Sequence, residues 1–187
     1  MQNAKNIVVI TGSPRRNGNS FAMTRAFTQA CELRGYSVTR FDAAFMNVEG
    51  CMACGSCYGT EKACIARDDF NTIAAALEKA DFILLSCPVY WYSIPAKIKA
   101  VIDKFFAFYI LGMKDNRMKG KRAGLLACWE EKDMWVGEEA VLKPYLRTLK
   151  LLEWSSAGEV LIPGVLDAGA IKNTDGEQRA AALAERI

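Results

Sequence analysis

Histidine is absent from this sequence. That removes Ser–His and Cys–His nucleophilic catalysis, HExxH zinc sites and imidazole proton relays. Any enzyme chemistry has to run through a cofactor or through other side chains. No apolar run approaches the ~20 residues that a membrane-spanning helix needs. The polar N-terminus enters a strand at once, without the apolar core of a signal peptide. The expectation is a cytoplasmic protein with no membrane partner. Net charge is only +3, too mild to imply nucleic acid. The one basic cluster, Arg117, Lys119, Lys121 and Arg122, precedes a predicted strand and reads as a solvated loop. Repeats, low-complexity tracts and linkers are missing too. A chain of 187 residues, 51% hydrophobic and 24% charged, then reads as one domain over 1–187 with a sizeable core.

The stretch that organises the chain is IVVITGSPRRNGNS, Ile7 to Ser20. A β-branched apolar run feeds a small polar loop with two arginines, and helical periodicity opens at Asn19. Free backbone N–H groups and the positive end of a helix dipole meet at such a junction and favour an anion. Gly12 and Gly18 permit unusual backbone angles. Ser13, Asn17, Asn19 and Ser20 offer neutral donors, and Arg15 or Arg16 can add a bidentate fork. Two better-known phosphate loops do not fit. Five residues separate Gly12 from Gly18 where a P-loop has four, Asn19 stands where its lysine would be, and G-x-G-x-x-G is missing. An ordinary polar turn with solvated arginines is the competing reading.

Downstream, Met23, Ala26, Phe27, Ala30 and Leu33 mark a helix face, and Gly35 is placed to stop it. Val38 and Phe41 lie on a second strand. Asp68 or Asp69 caps a helix that buries Phe70, Ile73, Ala74 and Leu77. DFILLSC, 81–87, is a near-continuous apolar strand of the kind parallel sheets bury. PVYWYSIP leads into a helix from Ala96 to about Tyr109. Ala123–Cys128 is strand four, residues 129–137 form a loop, and a helix ending near Leu152 presents Leu142, Leu146 and Leu149. Trp154–Ile162 is strand five, and a short helix closes the chain. Alternating strands and helices predict an α/β parallel sheet with helices on both faces. Ligands bind such sheets at the carboxyl ends of the strands. Loops 12–20, 88–95 and 128–137 meet there. Tyr90, Trp91 and Tyr92 suit a flat ring with a phosphate tail, or else they cover the sheet end or a subunit interface.

Seven cysteines are present, and Cys51, Cys54, Cys57 and Cys64 fall within fourteen residues. Cytosolic disulfides are disfavoured. Cys31, Cys87 and Cys128 read as small core residues. The C-x2-C-x2-C run plus Cys64 leaves three readings open: a [4Fe–4S] cluster, zinc, or four reduced thiols.

GSPRRNGNS, PVYWYSIPAKIKAVID and KGKRAGLLACWE, in that order, resemble the flavodoxin-like NAD(P)H-dependent FMN reductases. GCMACGSCYGTEKACIARDDF is similar to their iron–sulfur flavoprotein branch. The resemblance implies a three-layer, flavodoxin-like sandwich with strand order 2-1-3-4-5 and a cysteine-rich insertion at about 47–67. It implies that Ser13, Arg15, Asn19 and Ser20 hold an FMN phosphate in a loop shaped by Asn17 and Gly18. Pro88, Val89, Tyr90 and Trp91 would line the isoalloxazine, with Cys128, Trp129 and Glu130 at its border. It also implies a homodimer or homotetramer. The expected activity passes electrons from NAD(P)H or a reduced carrier through FMN to a quinone, nitroaromatic, metal or oxygen-derived acceptor. With a cluster, single electrons could pass to a ferredoxin-like partner. Rival readings are a flavodoxin-like electron carrier and a redox or metal sensor built on the cysteine loop.

Overall fold

The computed structural model describes residues 4–58, 63–109 and 118–187. One five-stranded parallel sheet runs through it in the order β2-β1-β3-β4-β5. The strands are β1 (Asn6–Thr11), β2 (Ser37–Asp42), β3 (Phe82–Pro88), β4 (Arg122–Cys128) and β5 (Ser155–Ile162). The expected fold class, a flavodoxin-like three-layer sandwich with that strand order, is therefore the observed one. The central strands are mostly apolar because their residues meet one of two helical layers. The two-residue period sends Val8, Ile10, Ile83, Leu85 and Leu125 to one face. Helices α2 (Phe70–Lys79), α3 (Ala96–Asp103) and α5 (Lys143–Leu152) cover that face. Ile7, Val9, Phe82, Leu84 and Leu126 turn to the other face, under α1 (Asn19–Leu33) and α6 (Gly176–Leu183). There Phe27 stacks on Phe82 with ring centroids 5.9 Å apart.

Strand order reverses between β1 and β3. Thr11 pairs with Asp42 on one side and Ser86 on the other, and Pro88 pairs with Cys128. The carboxyl ends of β1, β3 and β4 thus open side by side at the switch point, where a ligand crevice is expected. No described helix is long and apolar enough to cross a membrane.

Three local expectations need correction. Leu33 is 88% exposed. It lies ten residues after Met23, roughly 80° off the stripe at 3.6 residues per turn, and the buried Cys31 takes its place. Residues 129–137 are not all loop: α4 (Met134–Gly137) runs into a π-helical turn, Glu138–Leu142, and then α5. Pro144 lies in the first turn of α5. Its ring would crowd the carbonyl four residues back in a regular helix, and the wider π turn relieves this. The extra residue also shifts the stripe, so Val141, Tyr145, Leu149 and Leu152 are buried while Leu146 is exposed. The basic cluster is less bland than it looks in sequence. Lys121 Nζ donates to the Glu78 and Ala80 carbonyls at 2.7 and 2.8 Å, closing the end of α2. Arg117 lies outside the described residues.

Candidate functional site

The loop after β1 is shaped by close approach. Gly12 N–H donates to Ser86 O at 2.8 Å. A Cβ on Gly12 would lie 2.6 Å from Ile98 Cγ2, so glycine is required for β1 to leave the sheet beside α3. Arg15 N–H donates to Ser13 Oγ at 3.1 Å, and Gly18 N–H donates to Arg15 O at 2.9 Å, winding the loop tightly. Gly18 precedes α1 without a side-chain cap, and the first turn holds no acid. The positive helix end is therefore left open to an anion. The two arginines separate. Arg15 lines the cleft in front of α1. Arg16 turns aside to Asp42 Oδ2 at 3.5 Å and lies 4.0 Å over the Phe45 ring.

The cleft is lined by Ser13, Arg15, Gly18, Asn19 and Ser20 from the first loop, Pro88, Val89 and Tyr90 from the second, and Cys128, Trp129 and Glu130 from the third. Eleven of the thirteen residues expected around a cofactor thus face one cavity. Asn17 does not. It lines a neighbouring cavity with Arg16, Arg25 and Lys172. Trp91 does not either; it is 96% exposed. Tyr90 and Ser93 exchange backbone hydrogen bonds of 2.8 and 3.0 Å, and Trp91 and Tyr92 between them have φ of +49° and +55°. This is a two-residue turn of the sort that favours Asn-Gly, filled here by aromatics. Tyr92 stacks on Trp135 at 5.8 Å, joining the second and third loops. Trp129 is fixed from behind, its Nε1 donating to Asp133 O at 3.2 Å and its ring lying against Gly137.

A fourth wall was missing from the sequence reading. Val165, Leu166 and Ala168, after β5, also line the cleft. Asn19 holds them there. Its amide nitrogen donates to Val165 O at 3.3 Å and Asp167 O at 3.0 Å, and its Oδ1 accepts from Gly169 N–H at 3.0 Å and Ile171 N–H at 3.2 Å. The Asn19 side chain is thereby committed to protein, leaving its backbone to face a ligand. The available signal was topological, since the loop after every parallel strand reaches the same edge.

The thiols divide into two classes. Burial pushes Cys31 and Cys128 up to about 12 and Cys87 higher still, so all three stay protonated. Ser20 N–H donates to the Cys128 sulfur, partly opposing that rise. Cys51, Cys54, Cys57 and Cys64 line a separate pocket. The loop bends around it with positive φ at Ala53 and Gly55. Hydrogen bonds from Ser56 hold Cys54 below its ordinary value. Burial pushes Cys57 up, and its neighbours Cys54, Cys64 and Cys51 add to the rise. Four thiols around one cavity are a suitable donor set for an iron–sulfur cluster or zinc. Among the described residues, however, no three ligating side chains are already gathered tightly enough to grip an ion.

A family model described as NADPH-dependent FMN reductase matches residues 5–154. An iron–sulfur flavoprotein of Archaeoglobus fulgidus is 30% identical over 122 residues, 65% of this chain and 53% of that protein. An iron–sulfur flavoprotein of Methanosarcina thermophila is 30% identical over 121 residues, 65% of this chain and 61% of that one. The chain thus spans little more than half the length of these curated relatives. Among solved structures, an NAD(P)H:quinone oxidoreductase from Methanothermobacter marburgensis superposes with a TM-score of 0.75 at 15% identity, covering 97% of this chain and 94% of that one. An azoreductase from Bacillus anthracis gives 0.71 at 16% identity, covering 98% and 100%. At such identities these two likenesses bear on the fold.

Proposed function

This chain belongs to the NADPH-dependent FMN reductase family, and on that premise we propose that it is an FMN-dependent oxidoreductase that takes electrons from NAD(P)H. The observation that carries the reading is the composition of the cleft. Its lining combines an uncapped helix N-terminus, Ser13 and Arg15 with the apolar and aromatic Pro88, Val89, Tyr90, Trp129 and Val165. One phosphate tail and one flat ring match those two kinds of wall. Bound FMN supplies hydride acceptance and one- or two-electron transfer. Arg15 and the first-turn amides of α1 hold the phosphate. Pro88 to Tyr90 and Trp129 bound the ring and keep water from it. The protonated Cys87 and Cys128 need not act as nucleophiles, and no histidine is required. The acceptor is a small oxidant such as a quinone, nitroaromatic, metal or oxygen-derived species. The test is release of the pigment by denaturation and identification of the flavin. FMN is expected; FAD alone, or no flavin bound after reconstitution, contradicts the assignment.

The cysteine pocket favours a second reading of the same protein. In it, Cys51, Cys54, Cys57 and Cys64 ligate a [4Fe–4S] cluster, and single electrons pass to a ferredoxin-like partner. The relatives named as iron–sulfur flavoproteins support this reading, as does the placement of all four cysteines on one cavity. Iron and sulfide analysis with electron paramagnetic resonance on reduced, anaerobically prepared protein tests it. Near-stoichiometric cluster is expected, and iron-free protein after anaerobic reconstitution contradicts it.

A further inference from the structure

Beneath the four cysteines lies a buried ion pair that the flavin reading does not use. Lys104, just past the end of α3, and Asp68, just before α2, are in direct contact. Their side chains are 2% and 4% exposed. Asp68 Oδ2 also accepts from Glu49 N–H at 3.0 Å, and Oδ1 accepts from Phe70 N–H at 3.1 Å. One carboxylate thus joins the entry of the cysteine loop, the helix that follows it and α3. Asp69 Oδ2 reinforces the closure by accepting from Asn47 N–H at 2.8 Å. The ammonium lies 5.6 Å from the Phe70 ring centroid. Lys104 is among the residues that line the cysteine pocket and Asp68 is not, so the cationic member of the pair belongs to the wall of the cavity that the four cysteines share.

A buried lysine is costly unless something rewards the charge. A carboxylate alone would leave a neutral pair that apolar residues could replace with no loss of stability. Four thiolates around a [4Fe–4S] core leave a net negative centre, and reduction adds one more negative charge. A fixed cation in the same cavity offsets both. We propose that Lys104 is the electrostatic floor of the cysteine pocket, a positioning residue that favours the reduced, more negative state of a thiolate-held cluster, while Asp68 holds it and the loop in place. The proposal rests on the iron–sulfur reading above.

The test is anaerobic reconstitution of the full chain with iron and sulfide, followed by a redox titration monitored by electron paramagnetic resonance. Wild type, K104Q and K104R are compared. Gln keeps a donor for Asp68 without the charge, and Arg keeps the charge. Iron uptake by wild type reports on the cluster reading, and the midpoint reports on Lys104. K104Q is expected to take up iron as wild type does. Its reduction equilibrium should shift at least tenfold toward the oxidised state, about 59 mV for one electron, with K104R within threefold of wild type. A K104Q cluster within twofold of wild type overturns the role of Lys104 and leaves the cluster reading standing. Wild type that takes up no iron overturns both. Should K104Q fail to fold, the double variant K104Q/D68N removes the unpaired charge, and the same midpoint criterion applies to it.

Discussion

Replacing Asn19 with alanine isolates the contact that holds the fourth wall of the cleft. The side chain is 7% exposed and makes four hydrogen bonds, two as donor and two as acceptor, all to the segment 165–171. N19A strands two backbone N–H groups and two carbonyls. The bonds to Val165 and Ile171 are buried and those to Asp167 and Gly169 partly so. At about 1–3 kcal/mol for each of the two buried groups left unsatisfied, and little for groups that water reaches, the loss is about 2–6 kcal/mol. At roughly 2–4 °C per kcal/mol for a chain of this size, melting falls by about 4–24 °C. Hydrogen exchange should quicken in the 163–173 segment before it quickens in α1. Flavin affinity should fall as Val165, Leu166 and Ala168 lose their place in the cleft. N19D is expected to be intermediate. It keeps an acceptor for Gly169 and Ile171 but turns a second oxygen toward two carbonyls. Unchanged melting with unchanged exchange in 163–173 would refute the clasp.

Three further outcomes follow from the geometry. R15A should weaken FMN binding by ten- to a hundredfold, about 1.5–3 kcal/mol for a charge-assisted bond, while R16A, paired outside the cleft with Asp42, should stay within threefold; equal dissociation constants by fluorescence titration would sink that assignment. W91N should raise stability by about 1 kcal/mol, because Asn tolerates the left-handed backbone that costs other residues roughly 1–2 kcal/mol, and Trp91 packs little surface that could be lost; a lower denaturation midpoint in urea would show that Trp91 contributes packing of its own. Burial raises Asp68, yet the bonds from Lys104, Glu49 N–H and Phe70 N–H outweigh it and hold the carboxyl below its usual value. Its contribution is therefore complete above the unfolded carboxylate value of about 3.9 and lost as pH falls through the lower folded value, so exchange protection at Glu49 and Phe70 should persist to about pH 4, and loss near pH 6 would contradict it.

Much of the fold was legible because central parallel strands announce themselves. Ile7–Ile10 and Phe82–Leu85 are apolar without interruption, and the helix face Phe70, Ile73, Ala74 and Leu77 is buried as spaced. The stripe of α5 was not legible, since a π turn before Pro144 shifts phase by one residue and leaves Leu146 outside. At the cleft, the first loop was readable from glycines and donors in one short run. The choice between Arg15 and Arg16 was not, because it depends on Asp42 and Phe45, which lie far along the chain. The role of Asn19 was equally hidden, as its partners lie about 150 residues away. Asp68 was legible as a candidate helix cap, but its pairing with Lys104 was not, since only the packing of α3 against the cysteine loop brings the two together out of water.

The central claim is that the cleft at the β1/β3 switch point holds FMN that NAD(P)H reduces. Anaerobic rapid mixing of the purified flavin-loaded protein with NADPH or NADH tests it most directly, read as loss of the visible flavin absorbance. The account predicts full bleaching by at least one nicotinamide without an added carrier protein, and slower flavin reloading in R15A. Flavin that stays oxidised with both nicotinamides yet reduces with a protein electron donor would contradict it and leave an electron carrier in its place.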